Sequence, residues 1–452
     1  MFEKILIAGR GESALRILRS CRELGIRTVV AHSEADELAM HVRFSDESVC
    51  VGPADARRSY LDQAAIISAA MVTDADAIHP GIGFLSENAD FAGKVRAHGM
   101  AFVGPSEEHI RVMGDKVSAR REAARLGLPV VPGSEGVVGD VGEARGLAAE
   151  FGYPVLLKAS AGGGGRGMQV VDGEGDLSRA WGVATAEAEA AFGDGRLYLE
   201  KLVKNPRHIE VQVLGDGAGG VVHLGERDCS IQRRNQKLLE ETPSPGLAAG
   251  VRERMTELSL GAMREMGYGS AGTLEFVYDG ADFYFIEMNT RLQVEHPITE
   301  AVTNIDIVRE QIRIASGERL SFRQEDVWFR GHAIECRINA ERATDFLPSP
   351  GTVHSYHPAG GLGVRMDSAL YSGYTIPLHY DSLVAKLVVW GYDRVHAIAR
   401  LERALGELVV DGVETTTPLF RAIAADEEFR RGEYDTGWLE RRRSEGGLSL
   451  DA

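Results

Sequence analysis

The sequence predicts a multidomain protein of mixed α/β and α+β class: a doubly wound parallel sheet first, then a small α+β lid, then an antiparallel sheet with a β-rich extension. Three observations carry this. Over the first 115 residues short apolar runs alternate with helical stretches, the rhythm of βαβ units. From about Pro129 to Val203 a compact strand-and-helix pattern surrounds four consecutive glycines. Beyond Val203, alternating strands come in pairs joined by Gly/Asp turns. A chain of 452 residues exceeds one compact core. The expected divisions are 1–115, 116–328 with a lid at 129–203, and 329–445.

Each element follows from local pattern. "KILIAG" is a short apolar strand, and "ESALRILRSCRELG" is an amphipathic helix with Ala14, Ile17, Leu18, Cys21 and Leu24 on one face, ended by Gly25. "RTVVAHS", "SVCVG", "AIHPG" and "MAFVGP" read as further strands, with the helix "YLDQAAIISAAM" among them. In the lid, "PVLLKAS", the glycine loop, "GMQVV", an Ala-rich helix and "RLYLEKLV" succeed one another. "HIEVQVLGDGAGGVVHLGE" and "GTLEFVYDGADFYFIEMN" are hairpins, the second turning at Asp279-Gly280. Helices are expected in "ITEAVTNIDIVREQIRIASG" and "RVHAIARLERALGELV", with a β-rich segment from Arg330 to Trp390 between them. The polar tail after Arg443 is expected to fray.

Composition excludes several classes. Hydrophobic residues at 44% and charged residues at 26% are those of an ordinary globular protein. A net charge of −17 argues against a general nucleic-acid or anionic-membrane binder. No apolar run reaches membrane-spanning length, and "MFEKILIAGRG" reads as a strand entering a turn rather than a signal peptide. Cys21, Cys50, Cys229 and Cys336 are widely spaced, which suits reduced thiols and a cytoplasmic location. His354 and His357 lack the further ligands a zinc site needs.

Two glycine-rich stretches are candidate phosphate binders. "GRGESA" (Gly9 to Ala14) fits a dinucleotide fingerprint, with Glu34 as the acidic residue that would follow, but alone the match is weak evidence, and a tight turn before a packed helix is the plainer reading. No G-x-x-x-x-G-K-[ST] occurs. The run Gly162 to Gly167, with Gly164 and Gly165 at its centre, joins two strands. Its anion binding must come from exposed backbone N–H groups, helped by Lys158 and Arg166. Each glycine costs about 0.5–1 kcal/mol relative to Ala in ordered structure, so the run needs a reason, and a phosphate lid is one.

The acidic hairpin is the second half of the candidate site. Period two places Phe283, Phe285, Glu287, Asn289 and Arg291 on one face of their strand, and Thr273, Glu275 and Val277 on one face of the other. Pairing through Asp279-Gly280 brings Glu275 opposite or next to Glu287. Two carboxylates so close repel unless a cation lies between them. With the Asn289 amide oxygen they form a hard donor set suited to Mg²⁺.

These residues resemble one family over nearly the whole length. "HPGIGFLSEN", "MGDK", "KASAGGGGRGM", "NPRHIEVQV", "ERDCSIQRRNQK", "FIEMNTRLQVEHPITE", "RGHAIECRINAE" and "HYDSLVAKL" are similar to the biotin carboxylases of the ATP-grasp superfamily. The resemblance implies a Rossmann-like N-terminal (pre-ATP-grasp) domain, an ATP-grasp region and a C-terminal biotin carboxylase domain. It implies ATP, Mg²⁺ or Mn²⁺, and biotin supplied on a separate carrier protein. Lys116 and Lys158 resemble the cations that grip nucleotide phosphates. Glu200, Lys201, Leu202 and Val203 resemble the strand whose backbone and Glu side chain read adenine, and His208 and Asn235 fall where ribose or base contacts are expected. Glu275, Glu287 and Asn289 resemble the metal ligands. Lys237, Arg291, Gln293 and Val294 resemble the bicarbonate cradle, Glu295 the base that activates bicarbonate, and Arg337 the residue that holds the ureido oxygen of biotin.

The implied reaction phosphorylates bicarbonate to carboxyphosphate, which then releases CO2 beside biotin while the departing phosphate takes the N1′ proton. It is the first half-reaction of an acetyl-CoA or related acyl-CoA carboxylase. Gly9, Ser13, Ile82 and Asn235 depart from the family's usual Asn, Ile, Tyr and His. No Met-Lys dipeptide occurs, so no biotinyl-lysine motif is present and a biotin carboxyl carrier protein and a carboxyltransferase subunit are expected as partners. Arg16, Arg19 and Glu23 share a helix face expected to lie in a homodimer interface. The rival readings are another ATP-grasp ligase joining a carboxylate to an amine, and an inactive nucleotide-binding subunit. "RLQVEHP" and "ECRINAE" argue against the first, and the joint presence of Lys237, Arg291, Glu295 and Arg337 against the second.

Overall fold

The computed structural model describes residues 1–160, 167–448 and 450. The N-terminal rhythm folds into a parallel sheet ordered Glu47–Gly52, Arg27–Ser33, Lys4–Ile7, Ala77–His79, Ala101–Phe102. The order reverses at the first strand, so the sheet opens a crevice at that strand's C-terminal end. Gly11–Glu23 leaves this crevice as a helix, with Ala14, Ile17, Leu18 and Cys21 buried as their spacing requires. "GRGESA" serves a close backbone crossing. A Cβ on Gly9 would stand 3.3 Å from the Gly81 Cα, and Gly11 holds φ +67°. The helix expected from Tyr60 begins at Gln63, because Asp62 caps the Ala65 N–H at 3.0 Å and Tyr60 stacks on Phe84 instead.

The lid is a three-stranded antiparallel sheet ordered Met168–Val171, Val155–Ala159, Leu197–Lys201. Helices Val141–Phe151 and Glu174–Phe192 bury small faces of Ala144, Ala148, Ala180, Ala184 and Ala188 over it. The glycine-loop positions Gly164 and Gly165, with Gly162 and Arg166, lie outside the described residues.

The largest sheet has eight antiparallel strands: Phe283–Asn289, Gly269–Tyr278, Arg207–Asp216, Val221–Arg233, Gln236–Thr242, His332–Asn339, Leu383–Gly391, Val364–Ser368. The β-rich extension is therefore not a layer apart: Ala333 to Cys336 pair directly with Thr242 to Leu239. "ITEAVTNIDIVREQIRIASG" forms two helices, His296–Thr303 and Ile307–Ala315. Asn304 ends the first in the left-handed region at φ +57°, and Asp306 caps the second by accepting from the Arg309 N–H at 2.8 Å.

The face expected from Arg16, Arg19 and Glu23 is divided. Arg16 is buried within its own chain, donating to Ser20 Oγ (2.5 Å), Glu300 Oε1 (2.9 Å) and Asp306 Oδ1 (2.7 Å), whereas Arg19 and Glu23 are exposed. The physical reason is depth: Arg16 lies where the Ile307–Ala315 helix begins against the first helix, and the C-terminal turn runs past that contact.

Candidate active site

A cavity of about 1160 Å³ lies where the parallel sheet, the lid and the eight-stranded sheet meet, and it is lined by residues of all three. Lys116, Lys158, Glu200 to Val203, His208, Asn235, Lys237, Glu275, Glu287, Asn289, Arg291, Gln293 to Glu295 and Arg337 all border it. One chamber thus gathers every expected site residue among the described ones.

The acidic hairpin has the expected register, with Glu275 directly opposite Glu287. The single five-residue face does not exist. A bulge at Ile286 follows the pairing of Phe276 with Phe285 and precedes that of Glu275 with Glu287. One extra residue reverses the facing of everything after it. Phe283 and Phe285 therefore enter the apolar core, while Glu287 and Asn289 face the cavity. The two carboxylates have different company. Glu275 accepts from Lys237 Nζ (2.8 Å), Asn289 Nδ2 (2.7 Å) and Gln293 Nε2 (2.7 Å), and meets His208 Nε2 at 2.7 Å. Burial raises its pKa, but Lys237 and His208 outweigh burial and hold it far below the ordinary carboxylate range. Glu287 is one-third exposed, and Lys116 Nζ comes no nearer than 3.9 Å. Asn289 turns its oxygen to Arg291 Nη2 at 2.8 Å and its amide nitrogen to Glu275.

Lys237 is the hub. Its ammonium donates to Glu210 (2.5 Å), Glu275 (2.8 Å) and Glu295 (2.7 Å), three donors for three carboxylates. Glu295, at the mouth of the His296–Thr303 helix, accepts from Lys237 with Oε1 and from Arg337 Nη2 with Oε2 at 2.9 Å. Burial opposes its charge, and Lys237 and Arg337 still hold its pKa well below 4.5. Arg337 is fixed from the other side by Glu240, Nε to Oε1 at 2.6 Å. Arg291 donates to Glu87 Oε2 at 2.9 Å, a bond that ties the hairpin's exit to the N-terminal domain. Val294 is positioned through its carbonyl, which accepts from the buried Lys386 at 2.9 Å.

On the lid side of the cavity, the Glu200 carboxylate accepts from Lys158 Nζ (2.9 Å) and Arg120 Nη1 (3.0 Å). A buried carboxylate beside a buried lysine answers its charge first. The Lys201 and Leu202 N–H groups bond the Pro132 and Pro154 carbonyls. Among the described residues Lys116 has no ion-pair partner closer than 3.9 Å, and burial lowers its pKa. His208 stands with Glu275 and Lys237. Asn235 sits at φ +65° beside Arg234 at φ +48°, in the two-residue turn between Arg233 and Gln236. Asparagine tolerates that backbone well, a local reason for its presence there.

Sequence reasoning missed Arg120, Glu87, Glu210, Arg227, Glu240 and Lys386. Arg227 is fully buried and donates to Glu210, Gln212 Oε1 (2.7 Å), Thr299 Oγ1 (3.0 Å), Thr273 Oγ1 (3.2 Å) and Gln293 Oε1 (2.7 Å). One signal was available: alternation in "RHIEVQV" puts His208, Glu210 and Gln212 on one face, between Ile209, Val211 and Val213 that enter the core. A polar face on a strand central to its sheet must be answered by buried partners.

The chain matches three family models: "Biotin carboxylase, N-terminal domain" over residues 1–110, "Carbamoyl-phosphate synthase L chain, ATP binding domain" over 115–323, and "Biotin carboxylase C-terminal domain" over 335–441. It is 56% identical over 443 residues to a biotin carboxylase of Pseudomonas aeruginosa, covering 98% of this chain and 99% of that one. It is similar in structure to a biotin carboxylase–beta-gamma-ATP complex from Campylobacter jejuni, with a TM-score of 0.96 and 49% identity over 98% of this chain and 99% of that one. A biotin carboxylase domain dimer of the Hydrogenobacter thermophilus 2-oxoglutarate carboxylase, with MgADP, ADP and bicarbonate, aligns with a TM-score of 0.95 and 50% identity over 98% of both chains. With matches across both termini and the ATP-binding region, and with more than half its residues shared along nearly its full length, the chain belongs to the biotin carboxylase family.

Proposed function

We propose that this cavity activates bicarbonate with ATP at one end and carboxylates biotin at the other, each step with the residues set out below. The reaction is that of an ATP-dependent ligase: carboxyphosphate forms first, and its CO2 passes to the biotin N1′. The observation that carries the assignment of residues is the continuous chain Lys237–Glu295–Arg337. One carboxylate, Glu295, accepts from Lys237 through one oxygen and from Arg337 through the other. Lys237, Arg291, Gln293 and the Val294 backbone cradle bicarbonate. Glu295 takes its proton, and Arg337 meets the ureido oxygen. A carboxylate held so far below its usual pKa is a poor base. Glu295 gains basicity when the substrates draw Lys237 and Arg337 toward themselves, so the base is strengthened only in the loaded site.

Lys116 and Lys158 hold the polyphosphate, and the lid stretch with Gly164 and Gly165 closes over it. Lys201 to Val203 border the adenine, with His208 and Asn235 nearby. The oxygen donors of Glu275, Glu287 and Asn289 fit Mg²⁺ or Mn²⁺ by chemistry, and Glu287 has no hydrogen bond among the described residues that the ion would have to displace. The ion, when bound, neutralises charge between the phosphates. The chain divides functionally at 1–115, 116–328 and 329–445. The biotin comes on a carboxyl carrier protein, a carboxyltransferase subunit receives the carboxyl group for acetyl-CoA or a related acyl-CoA, and the chain pairs with a second copy in the cytoplasm. No helix among the described residues is long and apolar enough to cross a membrane.

The test is ATP cleavage and carboxybiotin formation with free biotin and bicarbonate, omitting each substrate in turn and adding excess EDTA in a parallel series. Carboxybiotin must require all three substrates and the divalent ion. Biotin-independent ATP cleavage at the full rate, or full activity in EDTA, refutes the assignment.

A further inference from the structure

Beneath Arg337 lies a second carboxyl pair that the reaction as described does not use. Glu240 and Glu335 are directly opposite in adjacent antiparallel strands, so their side chains leave the same face of the sheet. Both are fully buried. Glu240 Oε1 accepts from Arg337 Nε, but Glu240 Oε2 and both oxygens of Glu335 have no hydrogen-bond partner among the described residues. Two ionised carboxylates cannot stand side by side, buried, with three bare oxygens between them.

We propose that Glu335 is kept as a neutral carboxylic acid, whose O–H answers the bare Glu240 Oε2, so that Glu240 keeps one negative charge for Arg337. Glu335 is then a positioning residue, acting through Glu240 on the guanidinium that meets biotin. This rests on the role assigned to Arg337 above. The proton balances the local charge. Arg337 faces two carboxylates, Glu240 and Glu295. A third negative charge at Glu335 would compete for Arg337 and draw it back from the cavity.

The other groups facing the pair are consistent with one proton held between them. Lys386, on the strand beside Glu335, spends its bonds on Glu12 at 3.1 Å and the Val294 carbonyl at 2.9 Å; Glu335 and then Asp367 are its further acidic neighbours, neither hydrogen-bonded to it among the described residues. Lys237, on Glu240's own strand, is filled by Glu210, Glu275 and Glu295. His296, on the covering helix, is held neutral by burial and by Lys386, Arg16 and Arg365. Burial, only partly offset by Lys386, pushes Glu335 well above 4.5; burial, offset by Arg337, pushes Glu240 up to about 7. The proton belongs to the pair. Glu335, having no cation bonded to it, is the better seat.

The test is infrared difference spectroscopy of the full chain in H2O and D2O at pH 8, with carboxybiotin assays alongside. The wild type is expected to show the carbonyl stretch of a buried protonated carboxylic acid, and Glu335→Gln to lose it. Because glutamine is the neutral isostere, Glu335→Gln should keep carboxybiotin formation within about twofold and flatten its pH dependence near neutrality. Glu335→Ala, which removes the partner of Glu240, should raise the KM for biotin about tenfold and leave bicarbonate-dependent ATP cleavage unchanged. Absence of the band in the wild type, its survival in Glu335→Gln, or a tenfold loss of carboxybiotin in a folded Glu335→Gln overturns the proposal. The band speaks to the proton alone. If Arg337→Ser lowers ATP cleavage and carboxybiotin equally while Glu335→Gln still loses the band, the role of Arg337 falls and the neutral acid stands.

Discussion

Arg337 and Arg291 carry the same charge and border the same cavity, yet their anchors differ, and the anchors separate their tasks. Arg337 is held by Glu240 and Glu295, and connects to Glu275 only through Glu295 and Lys237. Arg291 is held by Glu87 and Asn289, and Asn289 in turn bonds Glu275. On the proposed roles, removing Arg337 therefore leaves the proposed ion ligands in place, and removing Arg291, which bonds Asn289, disturbs them. A charge-assisted hydrogen bond is worth about 1.5–3 kcal/mol, which corresponds to a fall of about 10- to 150-fold. Arg337→Ser is expected to lose carboxybiotin formation by that factor and to keep a slow bicarbonate-dependent ATP cleavage. Arg291→Ala should impair both, because it acts before the paths divide. Parallel assays of phosphate release and carboxybiotin check this; equal losses in Arg337→Ser contradict it. These two arginines were legible because they sit in distinctive stretches. Glu240 and Arg227 were not: a lone charge on an alternating strand reads as a solvated face until the neighbouring strand, about a hundred residues away in Glu240's case, is known.

The hairpin Gly269–Tyr278/Phe283–Asn289 shows how an element converts pattern into site. Its register was readable, since the tight turn at Asp279-Gly280 fixes which residues meet, and Glu275 does meet Glu287. The bulge at Ile286 leaves one mark, the adjacent apolar pair Phe285-Ile286 where the alternation of "FYFIEMN" changes phase, and a strict period-two reading runs past it. Its consequence is large. Without it, Glu287 and Asn289 would follow Phe283 and Phe285 into the core that packs against the Ala249–Met266 helix. Deletion of Ile286 should thus force either two polar side chains into that core or two phenylalanines into the cavity. Either outcome buries or exposes the wrong groups at a cost of several kcal/mol. The expected result is a thermal midpoint lowered by at least several degrees and loss of Mg²⁺-dependent nucleotide binding, read by calorimetry. Ile286→Val, which keeps the bulge, should retain both; a stable, nucleotide-binding deletion would show that the bulge does not set the facing.

The three parts of the chain meet at one cavity, and the eight-stranded sheet makes two of them inseparable. Strands from both sides of residue 329 pair within it, so Lys237 and Arg337 belong to neighbouring strands of one rigid surface. The composition and rhythm of the sequence foretold the parts but not this seam, which depends on pairing between distant strands. The same geometry bears on assembly. The cavity is lined by residues of all three parts of the chain, Glu12 of the first helix among them. On the first helix Arg16 is consumed internally, but Arg19 and Glu23 remain exposed, and Arg19 lies 3.8 Å from Asp367 on the edge strand Val364–Ser368. Leu362, just before that strand, is 79% exposed. A charged rim around an exposed apolar residue suits a self-complementary contact. Sedimentation at micromolar concentration is expected to show a dimer, and Arg19→Glu, which places a like charge beside Asp367, to shift it toward monomer. Because residue 19 is exposed and bonds none of Lys237, Glu295 and Arg337 among the described residues, the monomer should fold and should cleave ATP within about threefold of the wild type. A monomeric Arg19→Glu with full thermal stability but no turnover would mean that the second copy shapes the cavity, through the helix that carries both Arg19 and the cavity-lining Glu12.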